Sequence, residues 1–161
     1  MSEEYKPKVL VEKSLLAMIA NAVGSHQFRN LYVQYPDGSE EDVLVNGELS
    51  CAIFVSCVLA GFGLIDRGHA TVGSTMKALE KAGWVKHEAT TEPQPGDVLL
   101  WEAVDFGNEG IHTHVGFYVG DGRAVSNSEK LGAPAEHDWQ FAGSRAVTEI
   151  WRYDFARCSR D

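Results

Sequence analysis

The sequence has few cysteines, three in 161 residues, at Cys51, Cys57 and Cys158. They form no CxxC pair and no cluster with the histidines, so neither a disulfide framework nor a metal site is expected. An odd number of cysteines favours free thiols. A chain of this length buries an ordinary hydrophobic core without disulfide bonds, and we expect residues 1–161 to form a single domain.

The sequence also has no excess of positive charge and no long apolar run. The net charge is −9, and the 14 lysines and arginines are scattered along the chain. Nucleic-acid binding needs clustered basic residues, so we expect no nucleic-acid partner. The most apolar stretch, 51–65, is shorter than the roughly 20 residues of a membrane helix, so we expect no membrane insertion.

The N-terminal segment MSEEYKPKVLVEKS lacks the basic start, apolar centre and cleavage site of a signal peptide. By default this places the protein in the cytoplasm, and an extracellular or cell-wall location would require another export route. Nothing in the sequence points to a cofactor, and we expect a monomer.

Hydrophobic periodicity changes along the chain from helical to extended. Helices are predicted near 9–23, from Cys51 to about Gly61, with Ser50 as its N-cap, and from Thr71 to Gly83. A hairpin or ordered loop is predicted within 24–47. Strands are predicted at 97–101, 114–119, 123–127 and 146–153. Helices followed by antiparallel strands indicate an α+β fold, with the helices packed on a central sheet.

Cys51 is the candidate nucleophile. A thiol reacts as thiolate, and a helix N-terminus lowers a thiol pKa and offers backbone N–H groups to an oxyanion. Cys57, in mid-helix among apolar residues, is interpreted as a core residue.

His112 and His114 stand out among the six histidines. They are two residues apart at the start of a strand, so both point to one face, and Gly116 leaves room beside His114. No third ligand stands nearby in sequence, so a metal site is not expected.

Three motifs in this order resemble the NlpC-type papain-like cell-wall peptidases: Ser50-Cys-Ala-Ile-Phe-Val, then Pro95-Gly-Asp-Val-Leu-Leu-Trp, then His114-Val-Gly-Phe-Tyr-Val-Gly-Asp-Gly. The resemblance covers about residues 46–128. It implies a papain-like fold and a cysteine hydrolase that cleaves an amide bond in peptidoglycan or a related peptide through an acyl-enzyme. It also implies that Cys51 is the nucleophile and His114 the general base, and that a polar residue on the next strand orients the imidazole.

The identity of that polar residue depends on hairpin register. A two-residue turn at Asp121-Gly122 pairs Gly116 with Asn127 and selects Asn127 as the orienting residue, whereas a three-residue loop selects Ser126. We prefer Asn127. His137 is a further candidate, although we interpret it as a surface residue.

Substrate contacts are expected from Tyr35, Ser50 and His112, although spacing does not decide between Tyr32 and Tyr35. Family members usually read Asp-Cys-Ser-Gly at the nucleophile, whereas this chain has Ser50-Cys51-Ala52-Ile53. The substrate contacts typical of the family are therefore altered. Two alternatives stay open: an amidase or acyl hydrolase with a non-wall substrate, and an inactive binding module with the same fold.

Overall fold

The computed structural model of the protein describes residues 6–105, 107 and 110–158; the first five residues of the N-terminal segment considered above lie outside this range. The described chain is α+β, with three α-helices, a two-stranded sheet and a six-stranded antiparallel sheet. The helices are α1 (Val11–Ala22), α2 (Cys51–Gly61) and α3 (Val72–Lys81). The strands are β1 (Tyr32–Gln34), β2 (Glu40–Asp42), β3 (Val85–Glu88), β4 (Val98–Asp105), β5 (Ile111–Gly120), β6 (Arg123–Ser128), β7 (Ala133–Asp138) and β8 (Val147–Arg152).

The helices form where the sequence predicts them, and their starts differ in capping. Thr71 caps α3, because its hydroxyl accepts the backbone N–H of Ser74 at 3.2 Å. The predicted cap of α2 is wrong. Ser50 has φ −93° and ψ 6°, outside the extended conformation of a capping residue, and its side chain makes no capping hydrogen bond.

The six-stranded sheet has the order β3-β8-β4-β5-β6-β7 and separates two apolar clusters. The larger cluster joins the helices to one face of the sheet, where Phe54 of α2 meets Phe117 of β5 edge-on at 5.6 Å between ring centroids. The smaller cluster covers the other face around Trp101 and Tyr118. Helix α2 is apolar on nearly all sides, and most of its side chains are buried against the sheet.

The turn between β5 and β6 contains Asp121 and Gly122 as predicted, but the predicted register is wrong. Gly120 pairs with Arg123, and the register then shifts between Tyr118 and Gly120, so that Gly116 pairs with Ser126. A bulge of this kind inserts an extra residue into one strand and moves every later pair by one position.

Strand β7 and the exposure of Cys57 also differ from expectation. β7 contains Pro134 and lies at the edge of the sheet, where the missing N–H of proline is tolerated. Cys57 is exposed, so its interpretation as a core residue is wrong, because it lies on the narrow side of α2 that the sheet leaves uncovered. In the described residues no helix is both long and apolar enough to cross a membrane.

A buried ion pair connects the start of β4 to the end of β8. Both carboxylate oxygens of Asp97 accept from Arg152, at 2.9 and 2.7 Å, and one also accepts the backbone N–H of Gln94 at 2.8 Å. Asp97 is 2% exposed. Removing one partner of such a pair leaves a charge without compensation.

We expect Asp97→Ala to lower the free energy of unfolding by about 3 kcal/mol, because Arg152 keeps its charge and loses its partner. Urea denaturation measures the change. The matched control, Glu80→Ala on the exposed side of α3, should change the free energy of unfolding by less than about 0.5 kcal/mol. Equal effects of the two substitutions would contradict the structural role of the ion pair.

Candidate active site

Cys51 is the first residue of α2 and opens into a cavity of about 640 Å³. Its Sγ lies against the middle of β5, close to the backbone N–H of Val115. The backbone N–H groups of Cys51 and Ala52 also point toward Sγ. These groups have no acceptor within the helix, since the first turn of a helix leaves its N–H groups unpaired. The thiol therefore lies among several donors.

The cavity gathers residues from α2, α3, β5, β6, β7 and the segments between them. Its titratable lining residues are Glu48, Cys51, His112, His114, Glu129, His137 and Arg145. The predicted nucleophile, Cys51, and the predicted base, His114, are both among them.

The imidazole of His114 lies on the Trp101 side of β5, with 5.4 Å between the ring centroids. Its Nε2 is 2.8 Å from the hydroxyl of Ser126, the residue opposite Gly116. Cys51 lies beside the next residue of β5, Val115. Among the described residues, no hydrogen bond joins Sγ of Cys51 to the ring.

Ser126 also bonds to His137, whose Nε2 lies 2.7 Å from the same hydroxyl. The other ring nitrogen, Nδ1, donates to the backbone carbonyl of Asp138 at 2.7 Å. The ring stacks on Phe141 at 4.1 Å between centroids, with an interplanar angle of 16°. The interpretation of His137 as a surface residue is wrong, because 133–138 pairs with β6 as β7 and directs this ring to the site.

Asn127 does not make the predicted contact with His114. Its side-chain N–H donates to the carbonyl of Gly47 at 2.7 Å, and its Oδ1 is buried without a hydrogen-bond partner in the described part of the chain. The register shift explains the difference, because it puts Ser126 on the His114 face and turns Asn127 to the opposite face. Asn127 still lines the cavity.

The three predicted substrate contacts have different positions. His112 lines the cavity. Tyr35 is exposed on the loop between β1 and β2, bonded to Glu41, and does not line the cavity. Ser50 is 0% exposed, so its hydroxyl cannot reach a ligand in the cavity. Tyr35 and Ser50 therefore lie outside the cavity lining in this structure, and the role of His112 as a substrate contact stays a prediction.

Arg145 is a site residue that the sequence did not suggest. Its Nε donates to the carbonyl of Glu102 at 3.0 Å and its Nη2 to that of His112 at 2.9 Å, which anchors the guanidinium beside the cavity. Burial raises the pKa of the Cys51 thiol, and the charge of Arg145 opposes part of that rise. A single arginine before a strand carries no local pattern by which sequence reasoning could have found it.

Burial decides the charge state of the two reactive groups. It raises the pKa of the Cys51 thiol, and the backbone N–H groups and Arg145 oppose this only in part. Burial, together with the positive charges of Arg145 and His137, lowers the pKa of His114 to about 3. The expected lowering of the Cys51 pKa is wrong, because desolvation of the thiolate outweighs the donors around it. At neutral pH the groups are a thiol and a neutral imidazole.

Among the residues in the described ranges, no group of three His, Cys, Asp or Glu side chains is arranged to hold a metal ion. The chain matches none of the protein-family models against which it was scanned, and a search of the curated proteins likewise gives no match. The assignment of the candidate site therefore rests on the geometry of its residues.

We expect the rate of Cys51 alkylation by iodoacetamide to keep rising with pH beyond about pH 9, because the thiolate reacts and burial raises the thiol pKa. The measurement uses a Cys57→Ser/Cys158→Ser protein, so that only Cys51 reacts. Arg145→Met should slow the reaction further at fixed pH, since loss of the cation raises the pKa again. Arg145→Lys, which keeps the charge, is the matched control. A rate plateau below pH 7.5 would show a resting thiolate and contradict this expectation.

Proposed function

We propose that this protein is a papain-like cysteine hydrolase, similar to the NlpC-type peptidases, that cleaves an amide bond in a peptidoglycan-derived peptide. The observation that carries the proposal is the convergence of Cys51, at the start of a buried helix, and His114, with its Nε2 bonded to Ser126, on one cavity. A nucleophile, a base and a residue that orients the base are the components of covalent acyl transfer.

In the proposed reaction the thiol of Cys51 attacks the scissile carbonyl while His114 accepts the thiol proton. A neutral imidazole at rest suits this role, because it can accept a proton. The N–H groups around Sγ stabilise charge on sulfur and on the carbonyl oxygen. His114 then gives the proton to the leaving amine, and water hydrolyses the thioester.

One lining residue, Arg145, favours a substrate that is an acidic peptide. Arg145 places a positive charge beside the nucleophile, which suits a substrate carboxylate such as those of peptidoglycan stem peptides.

The test is incubation of the purified protein with defined muropeptides, followed by mass spectrometry of the products. We expect cleavage of a γ-D-glutamyl or muramoyl-alanine bond. Cys51→Ser and His114→Gln should each lower the rate by at least about 10³-fold, because each removes a reacting group. Cys57→Ser, on the exposed side of the same helix, is the matched control and should keep the native rate.

Each of three other results would contradict a part of this proposal. Muropeptides that bind but stay intact would indicate an inactive binding module. Intact muropeptides together with acylation of Cys51 by simple esters or amides would indicate an acyl hydrolase with another substrate. Cleavage that survives Cys51→Ser would overturn the assignment of the nucleophile.

A further inference from the structure

One hydroxyl joins His114 to a second imidazole behind it. The Oγ of Ser126 is 2.8 Å from Nε2 of His114 and 2.7 Å from Nε2 of His137. A hydroxyl has a single proton to donate, so it donates to one ring and accepts from the other. The direction of these two hydrogen bonds fixes the tautomers of both histidines.

His137 decides the direction. Its Nδ1 is 2.7 Å from the carbonyl oxygen of Asp138, which can only accept, so Nδ1 carries the proton. In a neutral ring Nε2 is then the acceptor. Ser126 therefore donates to His137 and accepts the Nε2–H of His114. Nδ1 of His114 is left without a proton, as a general base requires.

We propose that Ser126 and His137 form a proton relay behind His114, in which His137 takes up the positive charge when His114 deprotonates Cys51. The proposal rests on the cysteine-hydrolase function above. As the Sγ–C bond forms, the thiol proton moves to Nδ1 of His114. The Nε2 proton of His114 passes to Oγ of Ser126, and the hydroxyl proton passes to Nε2 of His137. Expulsion of the amine reverses both transfers and leaves the proton on the amine.

The surroundings of His114 oppose a positive charge on its ring. It is half-buried beside Trp101, and the cations that face it are Arg145 and, when protonated, His137. Burial and these charges lower the pKa of His114 to about 3. An imidazolium held at this position is therefore costly, and passing the charge away from Arg145 relieves part of that cost.

The surroundings of His137 accept a charge more readily. Burial, the largest influence, opposes its protonated form, as does Arg123, but the Asp138 carbonyl and the carboxylates of Asp138 and Glu136 favour that form. Phe141 holds the ring by stacking. Burial still lowers the pKa of His137, so the ring is neutral at rest, as the tautomer argument requires.

A glycine makes room for the bridge. A Cβ placed on Gly116 would lie 2.7 Å from Cβ of Ser126 and 2.8 Å from the carbonyl oxygen of Val125. Both distances are shorter than any normal contact. Gly116 thus lets β6 lie close enough for Ser126 to stand between the two rings.

The tautomers can be measured without any substrate, by ¹⁵N NMR of the full chain labelled at histidine. We expect His114 protonated on Nε2 and His137 protonated on Nδ1. Ser126→Ala should remove the single tautomer of His114, and the conservative Ser126→Thr should keep it. Protonation of His114 on Nδ1 in the native protein, or tautomers unchanged by Ser126→Ala, would overturn the relay.

Proton transfer is then tested with p-nitrophenyl acetate on the Cys57→Ser/Cys158→Ser background, with Cys51→Ser as the blank. Ser126→Ala and His137→Gln should each slow acylation of Cys51 by about 10²-fold, whereas Ser126→Thr should recover most of the rate. The glutamine side chain can accept a hydrogen bond from the Ser126 hydroxyl, but it cannot take up the proton. The acylation rate is also measured in mixtures of H₂O and D₂O. Plotted against the deuterium fraction of the solvent, this rate should follow a curve for the native site and a straight line for His137→Gln.

The outcomes separate the two proposals. A native rate and a native solvent dependence in His137→Gln would show that the second imidazole only orients the first, which overturns the relay alone. Acylation of Cys51 in a protein whose His114 and His137 have other tautomers than those expected would also overturn the relay alone. The expected tautomers without acylation of Cys51 would overturn the cysteine hydrolase, and the relay with it, because no proton would then leave the thiol.

Discussion

Helix α2 packs across β5, and this contact fixes the position of the candidate nucleophile. Phe54 meets Phe117 in the larger cluster, and α2 is too apolar to be stable in any exposed position. The start of the helix thereby reaches the middle of β5, where the N–H of Val115 lies close to Sγ of Cys51. Because His114 precedes Val115, the same contact brings the two candidate residues, Cys51 and His114, to one cavity.

Structural features that depend on residues close together in the sequence could be predicted. The three helices, the turn at Asp121-Gly122 and the α+β class depend on periodicity, caps and turn residues, which are local properties. Cys51 and His114, the two residues that the resemblance singled out, both line the cavity, and their roles stay predictions. The papain-like form of the fold stays a prediction.

Features set by long-range pairing could not be predicted. The bulge before Gly120 exchanges the roles of Ser126 and Asn127, and nothing in the local sequence distinguishes the two registers. β7 contains a proline and becomes a strand only because β6 offers it an edge. Arg145 is anchored by carbonyls of Glu102 and His112, more than 30 residues away in sequence.

Burial of the site changes how a thiol could be activated there. A helix N-terminus and an adjacent histidine suggest a stable thiolate–imidazolium pair, but desolvation penalises both charged forms, so the resting groups are neutral. Charge would therefore appear only during the reaction, when a bound substrate offers its carbonyl. The fixed charge of Arg145 would then stabilise the thiolate and oppose an imidazolium at His114. A site arranged in this way gains from a second imidazole, since moving the proton to His137 separates it from that arginine.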